Sequence, residues 1–148
     1  MRFDVLHHEA IDLRPAITTP LRVYNREKNP VFFAARDEPA NAPRPLYIVL
    51  YDDQNEIAGG LIGESQFHWL KIEIMSVRQD LRGKGFGSQL MRMAEEEGVR
   101  RGCKYAFLDT MSYQAPRFYQ KLGYQIAGQI ADWDSHASTK YWFTKSLQ

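Results

Sequence analysis

Apolar residues run without a break from Leu46 to Tyr51, give way to the polar segment Asp52-Asp53-Gln54-Asn55-Glu56, and resume from Ile57 to Ile62. Two β-rich runs around a polar turn predict an antiparallel hairpin. Gly63 to Gln66 reads as the next turn, and Phe67 to Val77 as a third strand long enough to cross the middle of a sheet. Alternation along it puts Lys71, Glu73, Met75 and Val77 on one face and Leu70, Ile72, Ile74 and Ser76 on the other, unless a bulge intervenes. The period then changes. Phe86, Leu90, Met93 and Ala94 fall at offsets 0, 4, 7 and 8, which predicts an amphipathic helix ending at Gly102, with Glu95, Glu96, Glu97, Arg100 and Arg101 toward solvent. Tyr105 to Leu108 predicts a short buried strand. Ala115, Phe118, Tyr119 and Leu122 mark a second helix, with Pro116 in its first turn and Gly123 as its cap. Tyr124 to Ile130 and Thr139 to Lys145 read as two closing strands.

Ahead of Leu46 the pattern is weaker. Arg2 to Leu6 reads as a strand, and Ile11 to Ala35 as helix interrupted by Pro15, Pro20 and Pro30. Arg36 to Pro45, with Pro39, Pro43 and Pro45, cannot continue a helix or a central strand and reads as an exposed loop. About 35 residues precede that loop, fewer than the roughly 40 an independent core usually needs. A single domain over residues 1–148 is therefore expected: mixed α/β (α+β), with a central, largely antiparallel sheet flanked by helices.

Composition narrows the class of function. With 44% hydrophobic and 13% aromatic residues the chain can bury a sizeable core. Nineteen Lys and Arg against eighteen Asp and Glu give a net charge of +1, which lacks the basic footprint of sequence-independent nucleic-acid binding. No stretch approaches the roughly 20 apolar residues of a membrane span. Asp4, His7, His8 and Glu9 stand where a signal peptide would be apolar. One cysteine, Cys103, cannot form an internal disulfide and suits a reducing compartment. The expectation is a cytoplasmic protein, monomer or homodimer, with neither nucleic acid nor membrane as partner. No metal site is predicted: His7 and His8 are adjacent and point to opposite faces of their predicted strand, and His68 and His136 are isolated.

The strongest local signal is Arg82-Gly83-Lys84-Gly85-Phe86-Gly87-Ser88, placed between a predicted strand and a predicted helix. Glycines let a backbone approach a ligand closely, and the unpaired N–H groups of a first helical turn make a site for phosphate oxygens. Arg82 and Lys84 add positive charge beside it. A dinucleotide turn would need a third glycine where Ser88 stands, although Asp109 lies roughly where a ribose-binding acid belongs. A triphosphate loop would need Ser or Thr after Lys84, where Gly85 stands.

These residues resemble the GNAT superfamily of N-acetyltransferases. The family's pyrophosphate loop, Arg/Gln-x-x-Gly-x-Gly/Ala, is matched by Arg82, Gly85 and Gly87. A second landmark, a small residue followed by x-x-Phe-Tyr-x-Lys-x-Gly-Phe/Tyr, is matched by Ala115, Phe118, Tyr119, Lys121, Gly123 and Tyr124. The resemblance covers about Leu46 to Leu147. It implies a twisted sheet of six to seven strands and transfer of an acetyl group from acetyl-CoA, without a metal, to a primary amine of a small molecule or of a protein.

The resemblance further implies that the cofactor's pyrophosphate lies on backbone amides from Gly83 to Ser88. Its pantetheine arm would run between two splayed strands, pairing near Met75 and Val77, with a bulge in the strand ending at Val77. Tyr119 matches the family tyrosine that protonates the departing thiolate, whereas its place on an apolar helical face reads on spacing alone as core. Glu73 is the candidate base, acting directly or through water; its plain alternative is an exposed residue paired with Lys71. A familiar acid position of the family falls nearer Lys71. Ser112 stands where many members carry an asparagine that contacts the cofactor, and Gln114 is a candidate substitute. Two other functions stay open at this point: a non-catalytic acyl-CoA-binding module or sensor, and a dinucleotide-binding enzyme.

Overall fold

The computed structural model describes every residue from Met1 to Gln148. The chain divides between Ala42 and Pro43 into two compact units. In the first, a 3-10 turn at Ile11–Leu13 leads into α1 (Arg14–Lys28), which is followed by α2 (Pro30–Asp37) and a second 3-10 turn at Pro39–Asn41. Pro15 lies in the first turn of α1 and Pro30 opens α2, positions where a proline's missing N–H would have had no helical acceptor. Asn29 caps α2, its side chain accepting from the Phe32 N–H at 3.2 Å. Pro20 lies inside α1 without ending it, so of the three expected interruptions only Pro30 divides the helix.

Two expectations for this unit are corrected. Arg2 to Leu6 is irregular and exposed rather than a strand, because no strand lies beside it to satisfy its backbone groups. The expected loop from Arg36 to Pro45 is shorter than its prolines indicate. Helix α2 runs on to Asp37, whose Oδ2 meets Arg26 Nη1 at 2.7 Å, and the strand after it begins at Arg44. None of residues 1–42 is buried.

The second unit holds β1 (Arg44–Tyr51), β2 (Ile57–Gln66), β3 (Trp69–Val77), α3 (Phe86–Arg100), β4 (Tyr105–Met111), α4 (Pro116–Lys121), β5 (Gln125–Ile130) and β6 (Lys140–Ser146). These strands form one six-stranded sheet in the order β1-β2-β3-β4-β6-β5. Every neighbouring pair is antiparallel except β3 with β4, as the mixed, largely antiparallel fold requires. Pro45 is tolerated within β1 because that strand is an edge.

The predicted turn at Gly63 to Gln66 is instead the far half of β2. Its polar residues mislead because Ser65 is buried, its hydroxyl meeting Arg101 Nη1 at 3.3 Å. The chain reverses at Phe67 and His68, where Phe67 takes φ 51°. The face of α3 also differs: Met91 is 1% exposed and Met93 43%, so Leu90, Met91, Ala94 and Gly98 face the sheet. Gly98 draws the helix in, since a Cβ there would lie 3.0 Å from Leu70 Cδ2.

Register along β3 sets which of its side chains reach the core. Ile62 pairs with Ile74, but Gly63 pairs with Ile72, so Glu73 is an extra residue with no partner on β2. This bulge resets the alternation. Leu70 and Ile72 lie in the core and Met75 and Val77 pack against it, so the predicted grouping of Met75 and Val77 with Lys71 and Glu73 fails at the bulge. Gly63 sits opposite it, where a Cβ would collide with the Lys71 carbonyl oxygen. Gly63→Ala is therefore expected to destabilise the fold by about 1–3 kcal/mol, the usual cost of overpacking. Chemical denaturation giving wild-type stability would show that the bulge is not held this tightly.

Candidate active site

Strands β3 and β4 pair only from Trp69↔Tyr105 to Lys71↔Phe107 and then separate. Beyond that point β3 keeps β2 on one side and β4 keeps β6, so the inner edges of both strands lose their ladder partners. A bulge bends the strand that carries it, and this one falls where pairing with β4 stops. The separation opens a cleft of about 860 Å³, walled by residues 73–77 of β3, by Asp109 and Thr110 of β4, and by Phe118 and Tyr119 of α4.

One end of the cleft is the start of α3. Gly83 and Gly85 line it with φ of 75° and 90°, a left-handed backbone that favours glycine, and a Cβ at either would meet nothing within 4 Å. Gly85 is the N-cap of α3 and has no side chain to offer. The first-turn N–H groups of Phe86, Gly87 and Ser88 therefore have no helical acceptor, and the positive end of the helix adds to their attraction for an anion. Gly87 lines the cleft next to Phe118: a Cβ would lie 3.4 Å from that ring. Arg82 also lines it, with Nε donating to the Val77 carbonyl at 2.9 Å, so that one side chain ties the loop to the end of β3. The Lys84 and Phe86 side chains do not line the cleft.

Tyr119 stands in the wall with 8% exposure, its ring edge-on to Phe118 at 5.1 Å and to Tyr124 at 6.1 Å. Its hydroxyl makes no hydrogen bond within the chain. Burial pushes its pKa above the usual tyrosine value, and the Asp109 charge adds to the effect, so the group is a neutral O–H donor near pH 7. Tyr124 is pushed up by burial and then by Glu95. Unfolded tyrosines ionise near pH 10. Above that pH the unfolded chain gives up protons that the folded chain keeps, so stability present below about pH 10 falls as pH rises, by at most about 1.4 kcal/mol per unit for each tyrosine. Denaturation curves from pH 9 to 11 should show this slope, and Tyr124→Phe should flatten it; a slope unchanged in that variant removes Tyr124 as its source.

The other expected site residues are divided. Met75, Ser76, Val77 and Glu73 line the cleft. Glu73 Oε1 accepts from Lys71 Nζ at 2.7 Å, and that bond raises the Lys71 pKa. Ser112 does not line the cleft; its backbone N–H and hydroxyl bind the Thr139 carbonyl and N–H at 2.8 and 3.1 Å. Gln114 lines it, but its Oε1 accepts from the Met111 N–H at 2.8 Å and the Thr110 hydroxyl at 3.2 Å. Sequence reasoning misses Thr110 and Tyr113, and it reads Asp109 only in terms of a dinucleotide turn. The sequence pattern stops β4 at Leu108, whereas the strand continues to Met111 and carries Asp109 and Thr110 into the wall.

Residues 9–124 match the acetyltransferase (GNAT) family. The chain belongs to that family. It is an acetyl-CoA-dependent N-acetyltransferase, and the fold and cleft agree with this. The GNAT chain is 36% identical over 117 residues to blasticidin-S acetyltransferase of Streptomyces morookaense, covering 76% of this chain and 86% of that one. It is 35% identical over 123 residues to an acetyltransferase of Agrobacterium fabrum, with 83% of each covered. Among solved structures, an acetyltransferase from Bacillus cereus superposes with a TM-score of 0.76 at 26% identity, over 97% of both chains. The residues present fit coenzyme A: a strand edge without a ladder partner leads to a helix start with free donors and open space above its glycines. No helix is long and apolar enough to cross a membrane.

Proposed function

We propose that the protein acetylates a primary amine of a small molecule by direct attack on the thioester, with Glu73 and Tyr119 as its reacting side chains. The observation that carries this reading is that one cleft gathers the open start of α3, the unpaired edge of β3 and a tyrosine hydroxyl with no partner in the chain. Backbone amides from Gly83 to Ser88 would hold the cofactor's pyrophosphate, and the unpaired edge near Met75 and Val77 would hold its pantetheine arm. Acetyl-CoA supplies an already activated acyl group. What remains for the chain is to align the amine, take up its proton and stabilise developing negative charge.

Glu73 suits the proton-accepting task because the bulge places it in the cleft wall, and Lys71 occupies only Oε1. Oε2 is left for the amine or for a water between them. The neutral Tyr119 hydroxyl would donate toward the departing sulfur, and a backbone N–H near Val77 would face the acyl oxygen. The family match crosses from the first unit into the second, which supports one acetyltransferase domain over residues 1–148. A small-molecule acceptor is supported by the relative named for acetylating blasticidin-S. The single, buried Cys103 accords with a cytoplasmic setting.

The test is a panel of small amines and amino-terminal peptides offered with acetyl-CoA, reading thiol release and product mass together. Thiol release matched by acetylated small amine is expected. Acetyl-CoA binding without release on any amine would replace this reading with that of a sensor module.

A further inference from the structure

Lys140, the first residue of β6, places its ammonium 3.0 Å from Asp109 Oδ1. The same nitrogen lies over two indole rings, 4.9 Å from the centroid of Trp133 and 5.4 Å from that of Trp142. The rings meet edge to face at 5.5 Å and 83°, so one carboxylate and two π faces converge on a single cation. This is the chemistry by which proteins recognise an ammonium or guanidinium group. Strand register assembles half of it: Asp109 is opposite Trp142 and Met111 opposite Lys140, which puts Asp109, Trp142 and Lys140 on one face of the sheet.

Trp133 comes from the connection at residues 131–139, which internal bonds hold in place. Asp132 Oδ1 accepts from the Ala137 N–H at 2.7 Å, Asp134 Oδ1 accepts from the His136 and Ser138 N–H groups, each at 3.0 Å, and the Trp133 N–H donates to the Ser138 carbonyl at 2.9 Å. Asp132, Ser135 and Ala137 keep positive φ within it, a conformation that persists only where its surroundings impose it. Trp133 is thus presented rather than loosely attached.

The cage borders the acetyl-transfer cleft because Asp109 belongs to both. Asp109 is 50% exposed, so its carboxylate is open to an incoming cation, whereas the Lys140 side chain is 20% exposed. A cation that displaces Lys140 takes over the same carboxylate and ring contacts, which offsets their loss, and the freed ammonium regains water. The geometry points to Asp109, Trp133 and Trp142 as a cation-recognition subsite beside the cleft, held by the chain's own Lys140 until an acceptor bearing a second cationic group, remote from the amine to be acetylated, displaces it. This deepens the proposed amine acetylation and rests on that reading. Lys140 is a competing internal ligand, and its removal should help such an acceptor rather than hinder it.

The experiment is calorimetry of the full chain saturated with CoA, titrated with agmatine, a primary amine carrying a distant guanidinium, and separately with n-butylamine, which lacks one. Wild type should bind agmatine about tenfold more tightly than butylamine. Asp109→Asn should remove most of that preference, and Lys140→Met should tighten agmatine several-fold with butylamine unchanged. Trp133→Ala, a change at a half-exposed side chain, should weaken agmatine alone and serves if Asp109→Asn does not fold. Equal affinity for the two amines in wild type overturns the subsite. So does a Lys140→Met variant with lowered melting temperature and unaltered agmatine affinity, the behaviour of a lysine that only joins strands. CoA titration of the same samples separates the two levels: no CoA binding overturns the acetyltransfer reading itself, whereas CoA binding without amine discrimination overturns only the subsite.

Discussion

Tyr119→Phe is expected to lower kcat by about 10- to 100-fold, the range for loss of a positioned proton donor, while the affinity for acetyl-CoA changes less than about threefold. The substitution isolates the hydroxyl. The ring that packs against Phe118, Tyr124 and Phe143 stays in place, so the wall of the cleft keeps its shape. The hydroxyl has no hydrogen-bond partner in the chain, so its removal leaves no buried group unsatisfied and stability should hold within about 0.5 kcal/mol. Single-turnover thiol release, in which product release does not set the rate, is the appropriate measurement. An unchanged rate there removes Tyr119 from the chemistry and returns it to the core role that its helical spacing alone describes.

The larger effect on binding is expected from Gly85→Val, which should weaken CoA by about 100-fold or more, equivalent to about 2.7 kcal/mol. A side chain at this position projects into space that is open in the chain and adjoins the first-turn donors of α3. It also forces a β-branched residue to φ near 90°, which costs about 1–3 kcal/mol on its own. Gly102→Val separates the two effects. Gly102 follows the other end of α3 with φ 88° and equally open surroundings, but away from the cleft. Both variants should melt at lower temperature, and only Gly85→Val should lose CoA in calorimetry. Wild-type affinity in folded Gly85→Val, or an equal loss in Gly102→Val, would place the pyrophosphate elsewhere.

Much of the second unit was legible because its signals are local. The runs Leu46–Tyr51 and Ile57–Ile62 are a hairpin, and the Gly-rich segment opens α3. Pro116–Lys121 forms the short helix, and Gly123, just past its end, takes the left-handed backbone with φ 88°. Each rests on turn chemistry or periodicity within a few residues, and backbone sterics act over that same range. Errors arose where burial overrode local polarity. Glu64, Ser65 and Gln66 look like a turn, but a buried Ser65 meeting Arg101 makes them strand. Met93 fits the helical period, but the face that packs on the sheet is Leu90, Met91, Ala94 and Gly98, with Gly98 close against Leu70.

By itself, then, the sequence determined that a strand, a glycine turn and an amphipathic helix come one after another, and that a tyrosine helix comes later, because these depend on neighbours along the chain. The bulge at Glu73, the parting of β3 from β4 and the entry of Asp109 into the cleft were decided only in the folded sheet. So was the enclosure of Lys140 by Trp133, Trp142 and Asp109. Each depends on which residue of one strand lies opposite which residue of another. That register is fixed by packing between segments far apart in sequence, where no local pattern can specify it.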